Sequence, residues 1–321
     1  CNATRGIFAG GHPGSAALNT MQYVTIATTG NGADFGDLTS QRRDTNGVSS
    51  PTRGVWIGGK TGSSPHPQMT DIDRVEFATT GNAIDFGDRT VVGRGPAAAS
   101  SSTRVVMAAG HDGNPGIIDT IDFITTATTG NATDFGNLLA VTNDMCTACN
   151  SPTRGIFSGG NTPGSPYAQN VMQYVTLATA GNAVDFGDLT AAGRSSYGGT
   201  ASSNTRGLIV IALSNPTTVN TINYATIAST GNAIDFGDMT AISGNGSRTG
   251  CQSTTRGIFP YRDDSPTTFG GIQYITMAST GNATSFGTLL TGSAAYSGCS
   301  NAVRGIMAGS SPQSDQIEYI T

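Results

Sequence analysis

The chain has 321 residues, of which 36 % are hydrophobic and only 12 % charged, with 45 glycines and a formal net charge of −5. A single lysine, Lys60, and the lack of any basic run argue against nucleic acid as the main partner. No stretch approaches eighteen apolar residues and no charged-then-apolar leader opens the chain, so neither membrane insertion nor a signal peptide is expected.

Read from the first residue, the chain opens on Cys1 inside a unit that it then repeats, and it stops inside another, which predicts a longer or processed product. The phrase NATRGIF at 2–8 returns as SPTRGIF at 151–157 and TTRGIF at 254–259. Its arginines, Arg5, Arg53, Arg104, Arg154, Arg206, Arg256 and Arg304, lie 48, 51, 50, 52, 50 and 48 residues apart. A second phrase keeps the same interval: TGNGADFGDL from Thr29, TGNAIDFGDR from Thr80, and four more copies down to TGNATSFGTL from Thr280. A period near fifty residues signals an array of small units in one body, which overrides the two-domain expectation from length. We therefore expect a single domain over 1–321, with units at about 4–51, 52–102, 103–152, 153–204, 205–254, 255–302 and a partial one at 303–321.

Within a unit, Gly193 to Gly237 illustrates the order. A small-residue run, SYGGTAS, precedes the apolar run RGLIVIAL, then INYATIAS, and AIDFGDM follows a turn. Gly and Asn of TGN supply positive φ, and SSNT or NSPT supplies turn formers before each arginine. The third runs, such as MQYVTIAT and IQYITMAS, are apolar on both faces, as strands sandwiched between neighbouring sheets must be. The expected fold is all-β, a β-propeller of four-stranded antiparallel blades, because radial repetition protects the edges of such short strands. Strands two to four, five complete blades and strands one to three make seven blades; six plus a leftover half is the alternative.

Cys149, Cys251 and Cys299 each lie five residues before an arginine, where other units carry Val48, Ala99 or Ala201, so they read as buried small hydrophobes. Cys146 and Cys149 form a C-x-x-C, but residues three apart on a strand face opposite ways, and neither zinc nor redox chemistry is expected. The odd count of five argues against a disulfide framework.

The ordered pattern resembles the kelch repeat. Arg94 or Arg194 precedes a first strand, and double glycines follow second strands at Gly10 and Gly11, Gly58 and Gly59, and Gly159 and Gly160. Tyr23, Tyr174, Tyr224, Tyr274 and Tyr319 mark third strands, with Arg74 and Phe123 in two units, and Phe35, Phe86, Phe135, Phe186, Phe236 and Phe286 mark the fourth. The fifth and sixth units, with IALSN and IFPYR, depart from the double glycine. A narrower resemblance is to TRGIFAGG...TGNATDFGDLT arrays of tailed phages of marine bacteria, cyanophages above all, where such arrays look like virion or tail-associated proteins. That resemblance implies a virion location and manufacture in a host cytoplasm.

Alternation of connections in such blades puts the two-to-three and four-to-one links on one face. Those links vary, from HPGSAALNT at 12–20 to SNPTT at 214–218, and from SQRRDTNG at 40–47 to AISGNGSRTG at 241–250, whereas TGN hardly changes. Loops on a rigid scaffold carry recognition, so the expected contact surface is this variable rim, with His12, His66, His111, Asn161, Tyr167, Tyr261, Arg262 and Asp263 as candidates and Trp56 as a core strand residue. The three histidines lack ordered carboxylates, so no metal is expected. Asp34 and Asp37 in DFGD read as charges that discourage edge pairing rather than as calcium ligands. The seven repeat arginines read as structural contacts, with aspartates of the next blade as possible partners. No Ser-His-Asp set, metal motif or phosphate loop appears, and the residue types for the copper oxidase chemistry of some kelch propellers are poorly supplied. The expected protein is a non-enzyme without cofactor. Its rim is expected to touch other virion proteins or a host surface glycan or receptor, and a homo-oligomer is a further expectation; a purely architectural role and a glycan-active enzyme are the alternatives.

Overall fold

The computed structural model describes all residues except 13, 15, 63–66, 114–115, 117, 143–145, 163–167, 194–198, 212, 215–216, 241–249, 262–269, 291–296 and 310–314; the side chains of 146, 147, 213, 214, 217 and 218 are likewise outside the description. The fold is all-β, a seven-bladed β-propeller. Among the described residues there is no helix, hence none long and apolar enough to cross a membrane. Blade one holds β1 (Arg5–Ala9), β2 (Leu18–Thr25) and β3 (Ala33–Arg42). Blade two holds β4 (Asn46–Ser49), β5 (Arg53–Ile57), β6 (Asp71–Glu76) and β7 (Ile84–Asp88), and blade three holds β8 (Ala97–Ser100), β9 (Arg104–Ala108), β10 (Ile118–Thr125) and β11 (Thr133–Thr142). Blade four comprises β12 (Cys146–Asn150), β13 (Arg154–Gly159), β14 (Val171–Thr176) and β15 (Val184–Asp188). Blade five comprises β16 (Thr200–Ser202), β17 (Arg206–Val210), β20 (Thr221–Thr226) and β21 (Ile234–Asp238), with the small hairpin β18 (Leu213–Ser214) and β19 (Thr217–Thr218) inserted. Blade six has β22 (Cys251–Gln252), β23 (Arg256–Tyr261), β24 (Gly271–Thr276) and β25 (Thr284–Thr288), and blade seven has β26 (Ser297–Ser300), β27 (Gly305–Ala308) and β28 (Ile317–Ile320). The first blade thus has strands two to four, the last has strands one to three, and seven blades replace the alternative of six and a half.

By contacts the chain groups into two compact units, 1–144 with 175–184, and 145–174 with 185–321. In the first unit, residues 175–184 carry a TGN-type turn that bonds to β11, which is why they group there. Within each unit, cores lie between consecutive blades. Ile7, Met21, Phe35, Trp56, Val75 and Phe77 fill one in the first unit, so Trp56 is the core residue its strand position predicts. In the second unit, Leu208, Val210, Ile222, Phe236, Phe259 and Ile275 fill another.

The repeated words can be read as contacts. In DFG, the fourth strand carries a bulge: Met21 pairs Gly36 but Gln22 pairs Asp34, leaving Phe35 as the extra residue. Phe35 turns into the core at 2 % exposure, and the Asp34 carboxylate accepts the Gly36 N–H at 3.1 Å. Gly36, at φ +135, lies so close to the next blade that an added Cβ would stand 2.5 Å from the Gly81 carbonyl carbon and oxygen. The TGNA word is that neighbour. Gly81 N–H donates to Phe35 O at 2.6 Å, Ala83 N–H to Asp37 O at 2.7 Å, and Asp37 N–H to Asn82 Oδ1 at 3.1 Å. The same three bonds recur at Gly130 to Ala132, Gly181 to Ala183, Gly231 to Ala233 and Gly281 to Ala283. The fourth-strand edge is therefore paired by the following turn. This corrects the expectation that Asp34 and Asp37 repel pairing: the first caps the bulge glycine and the second presents its backbone to the neighbour.

The TRG word is a second lock. Three residues upstream, a Ser or Asn side-chain oxygen accepts the arginine N–H, as in Ser203 Oγ with Arg206 N at 3.0 Å and Asn2 Oδ1 with Arg5 N at 2.8 Å. The guanidinium then lies over the third-strand aromatic of its own blade, 4.2 Å from the Tyr174 centroid for Arg154 and 5.0 Å from that of Tyr224 for Arg206. That ring meets the DFG phenylalanine edge-on, as Tyr224 meets Phe236 at 6.0 Å. From Nη1, Arg5, Arg53, Arg104, Arg154 and Arg206 donate to the next blade's carbonyls of Phe77, Thr126, Leu177, Ile227 and Met277. For these five the partner is a backbone oxygen of the next blade and not an aspartate, because the third strand ends opposite them. Where tyrosine is replaced by Arg74, Glu76 accepts from both Arg53 and Arg74 at 2.7 Å.

Cys149 and Cys251 are buried, and the glycine after the following unit's repeat arginine makes room for each: a Cβ on Gly207 would strike Cys149 Sγ, and one on Gly305 would lie 3.0 Å from Cys251 Cβ. Burial pushes the Cys149 thiol up to about 12 and Cys251 up to about 11, so both stay protonated and pack as hydrophobes. The Cys146 side chain lies outside the described residues.

Candidate functional site

In the first unit, the two kinds of variable link meet. Arg43 and Lys60 exchange backbone hydrogen bonds at 3.0 and 2.9 Å, and Arg94 and His111 do so at 3.1 and 3.2 Å. Each pair joins a four-to-one link to the two-to-three link of the following blade. Gly95 N–H donates to Asp44 O at 2.9 Å and stitches the pairs together. Asp44 holds φ at +55, a left-handed conformation that Asp tolerates better than most residues. Its Oδ2 receives Lys60 Nζ at 3.0 Å and Arg94 Nη1 at 3.3 Å. The three side chains are 32 %, 14 % and 23 % exposed, so these charges are only partly hydrated.

Beneath this rim lie two buried ion pairs. Arg42 joins Asp73 at 3.0 Å, and its Nη1 and Nη2 also reach Asp71 O, Thr39 Oγ1 and Ser40 Oγ. Arg89 joins Asp122 through Nε at 3.0 Å, and Thr90 Oγ1 donates to the same carboxylate, but Arg89 Nη1 and Nη2 have no acceptor. Burial lowers the Arg89 pKa from its ordinary value while Asp122 pulls the other way. In the second unit the same slot is neutral in blades five and six, whereas in blade seven buried Glu318 fills it and accepts the Leu290 N–H at 2.8 Å. Thr190 bonds Asn223 Oδ1 and Thr240 bonds Gln273 Oε1, with Leu189 and Met239 standing where Arg89 stands.

Of the eight rim candidates, His12 is exposed and His111 half-buried, with its Nδ1 accepting the Gly113 N–H at 3.1 Å. Asn161 is buried at 8 %, because it pairs with Ala168 in a backbone bridge, and it is no surface contact. Tyr261 is half-buried at the end of β23, its ring where a Cβ on Gly271 would be. His66, Tyr167, Arg262 and Asp263 lie outside the described residues. The structure brings together Arg43, Asp44, Lys60, Arg94 and His111, of which sequence reasoning singled out only His111 as a site residue. A signal was present: Arg43 and Arg94 each stand ten residues before a repeat arginine, and Lys60 and His111 each seven after one.

In the second unit a cleft of about 340 Å³ opens beside β25, lined by Arg256, Phe286, Asn301, Arg304 and Ile320. Among the described residues no group of three or more His, Cys, Asp or Glu is placed to hold a metal. In comparisons with known proteins, no family model matches the chain and no curated protein matches it.

Proposed function

We propose that this chain is a non-enzymatic component of a tailed-phage particle, associated with tail or fibre, whose variable rim contacts a host surface glycan or a neighbouring virion protein. The kelch-like pattern and the similarity to phage repeat arrays supply the setting. The observation that carries the reading is a division of labour along the sequence. The constant words, TRG, TGNA and DFG, are spent on blade-to-blade bonds, five copies of one geometry. The links that differ from blade to blade take no part in those bonds and converge at the rim, as Arg43 with Lys60 and Arg94 with His111 do. A scaffold with one repeated set of locks and one varied set of loops suits recognition.

The test exchanges rim links between units, 40–47 and 60–70 for their counterparts, and measures particle yield and host adsorption. Intact particles that fail to adsorb support the reading. Failed assembly supports a purely architectural role instead, and glycan cleavage by the purified protein supports an enzyme.

A further inference from the structure

We infer that the rim of the first unit binds an anionic group, the carboxylate or sulfate of an acidic polysaccharide, through Arg43, Lys60 and Arg94. This deepens the proposed recognition role and rests on it. The chain as a whole is acidic, with a net charge of −5. Yet its only lysine and two of the eight arginines outside the seven repeat arginines, Arg43 and Arg94, stand on these links, and Asp44 bridges Lys60 and Arg94. The four side chains carry two net positive charges on adjoining links whose backbones are tied together, so the cations are held in place before any ligand arrives. Partial burial keeps water from screening them fully.

Donor capacity is also in excess. Arg43 Nε is buried and without an acceptor, and so are both terminal nitrogens of Arg89. Arg89 lies directly below: Cβ atoms built on Gly93 and Gly110, the residues preceding Arg94 and His111, would stand 3.2 and 3.7 Å from its Nη1. Arg42, in the preceding blade, has both terminal nitrogens on acceptors. The rim above Arg89 therefore feels a guanidinium balanced only through Asp122, and a rim anion meets positive potential from below as well as from the sides. A carboxylate or sulfate with two or more oxygens matches Arg forks beside a Lys point charge.

The experiment measures binding of the purified chain to a polyuronate oligosaccharide, a sulfated oligosaccharide and a neutral oligosaccharide of equal length, by calorimetry at three salt concentrations. The expected result is preference for the charged glycans, weakening as salt rises. Lys60→Gln with Arg94→Gln should lower that affinity by roughly tenfold or more while the melting temperature stays near wild type, because partly exposed pairs contribute little to stability. Asp44→Asn keeps a residue that accepts left-handed φ and removes the competing carboxylate; it should raise affinity about fivefold. A merely structural cluster would show no gain with Asp44→Asn. Equal binding of the neutral glycan, or binding of none, overturns the inference. Adsorption lost on rim exchange, with Lys60→Gln/Arg94→Gln binding glycans normally, fails this inference alone; adsorption surviving rim exchange fails the wider reading.

Discussion

Gly187→Ala isolates what one blade contributes to its neighbour. At φ +136 the new methyl would stand 2.5 Å from the Gly231 carbonyl carbon and oxygen and 2.7 Å from Asn232 N, all backbone atoms that cannot swing aside. The turn must lift, and with it go the Gly231 N–H bond to Phe186 O, the Ala233 N–H bond to Asp188 O, and the Asp188 N–H bond to Asn232 Oδ1. Three bonds at ~0.5–1.5 kcal/mol each sum to roughly 1.5–4.5 kcal/mol, beyond a backbone strain of ~1–3 kcal/mol for a side chain at such a φ. Gly287 supplies the control. It occupies the equivalent bulge in blade six at φ +157, and a Cβ there meets nothing within 4 Å. Gly287→Ala should show the strain alone, so the two variants should differ by about 3 kcal/mol in urea unfolding. Equal losses would refute the reasoning, because the repeated glycine would then serve only its own turn.

Arg206→Met, which removes both the bond to Met277 O and the contact over Tyr224, should cost ~1.5–3 kcal/mol in the same assay. Arg256→Met, exposed and without a next-blade carbonyl partner among the described residues, removes the contact over Tyr274 at 4.6 Å and should cost under about 1 kcal/mol. Arg89→Leu alone strands Asp122 and should destabilise by ~3 kcal/mol or more, while Arg89→Leu with Asp122→Asn copies the Leu189, Thr190 and Asn223 set and should lie within about 1 kcal/mol of wild type; calorimetric melting distinguishes the two. The buried thiols have folded pKa values of about 12 and about 11 against an ordinary 9.0, so they keep full stability below pH 9 and lose it as pH rises toward 11, where the unfolded chain ionises first. Melting temperature against pH should fall more gently above pH 9 in Cys149→Ala/Cys251→Ala than in wild type.

The periodic skeleton was legible because each unit repeats the same strand words: the three-stranded ends and five four-stranded blades follow from counting phrases. The meaning of the words was not. DFGD reads on its own as a charged edge, since nothing within one unit reveals that Gly36 is approached by Gly81, forty-five residues away. The arginine partner was missed for the same reason, Arg5 reaching Phe77 O across a blade boundary and bonding to an atom that every residue type carries. Buried Arg89 and Arg42 reach comparable acidic slots from different offsets along their strands, so alignment of the repeats hides that Asp73 and Asp122 do one job. The rim cluster was half legible, its cations standing at constant offsets from the arginines, but Asp44 joins it only through a left-handed backbone turn.

The claim beneath all of this is that constant turns lock each blade to the one before it. Native-state hydrogen exchange of the Gly81, Gly130, Gly181, Gly231 and Gly281 amides tests it, because these residues sit at exposed turns. If the bonds to the preceding bulge hold, those amides exchange ~10³-fold or more slowly than Gly30, the turn glycine of blade one that has no such bond. Exchange of all five at the rate of Gly30 would contradict the account.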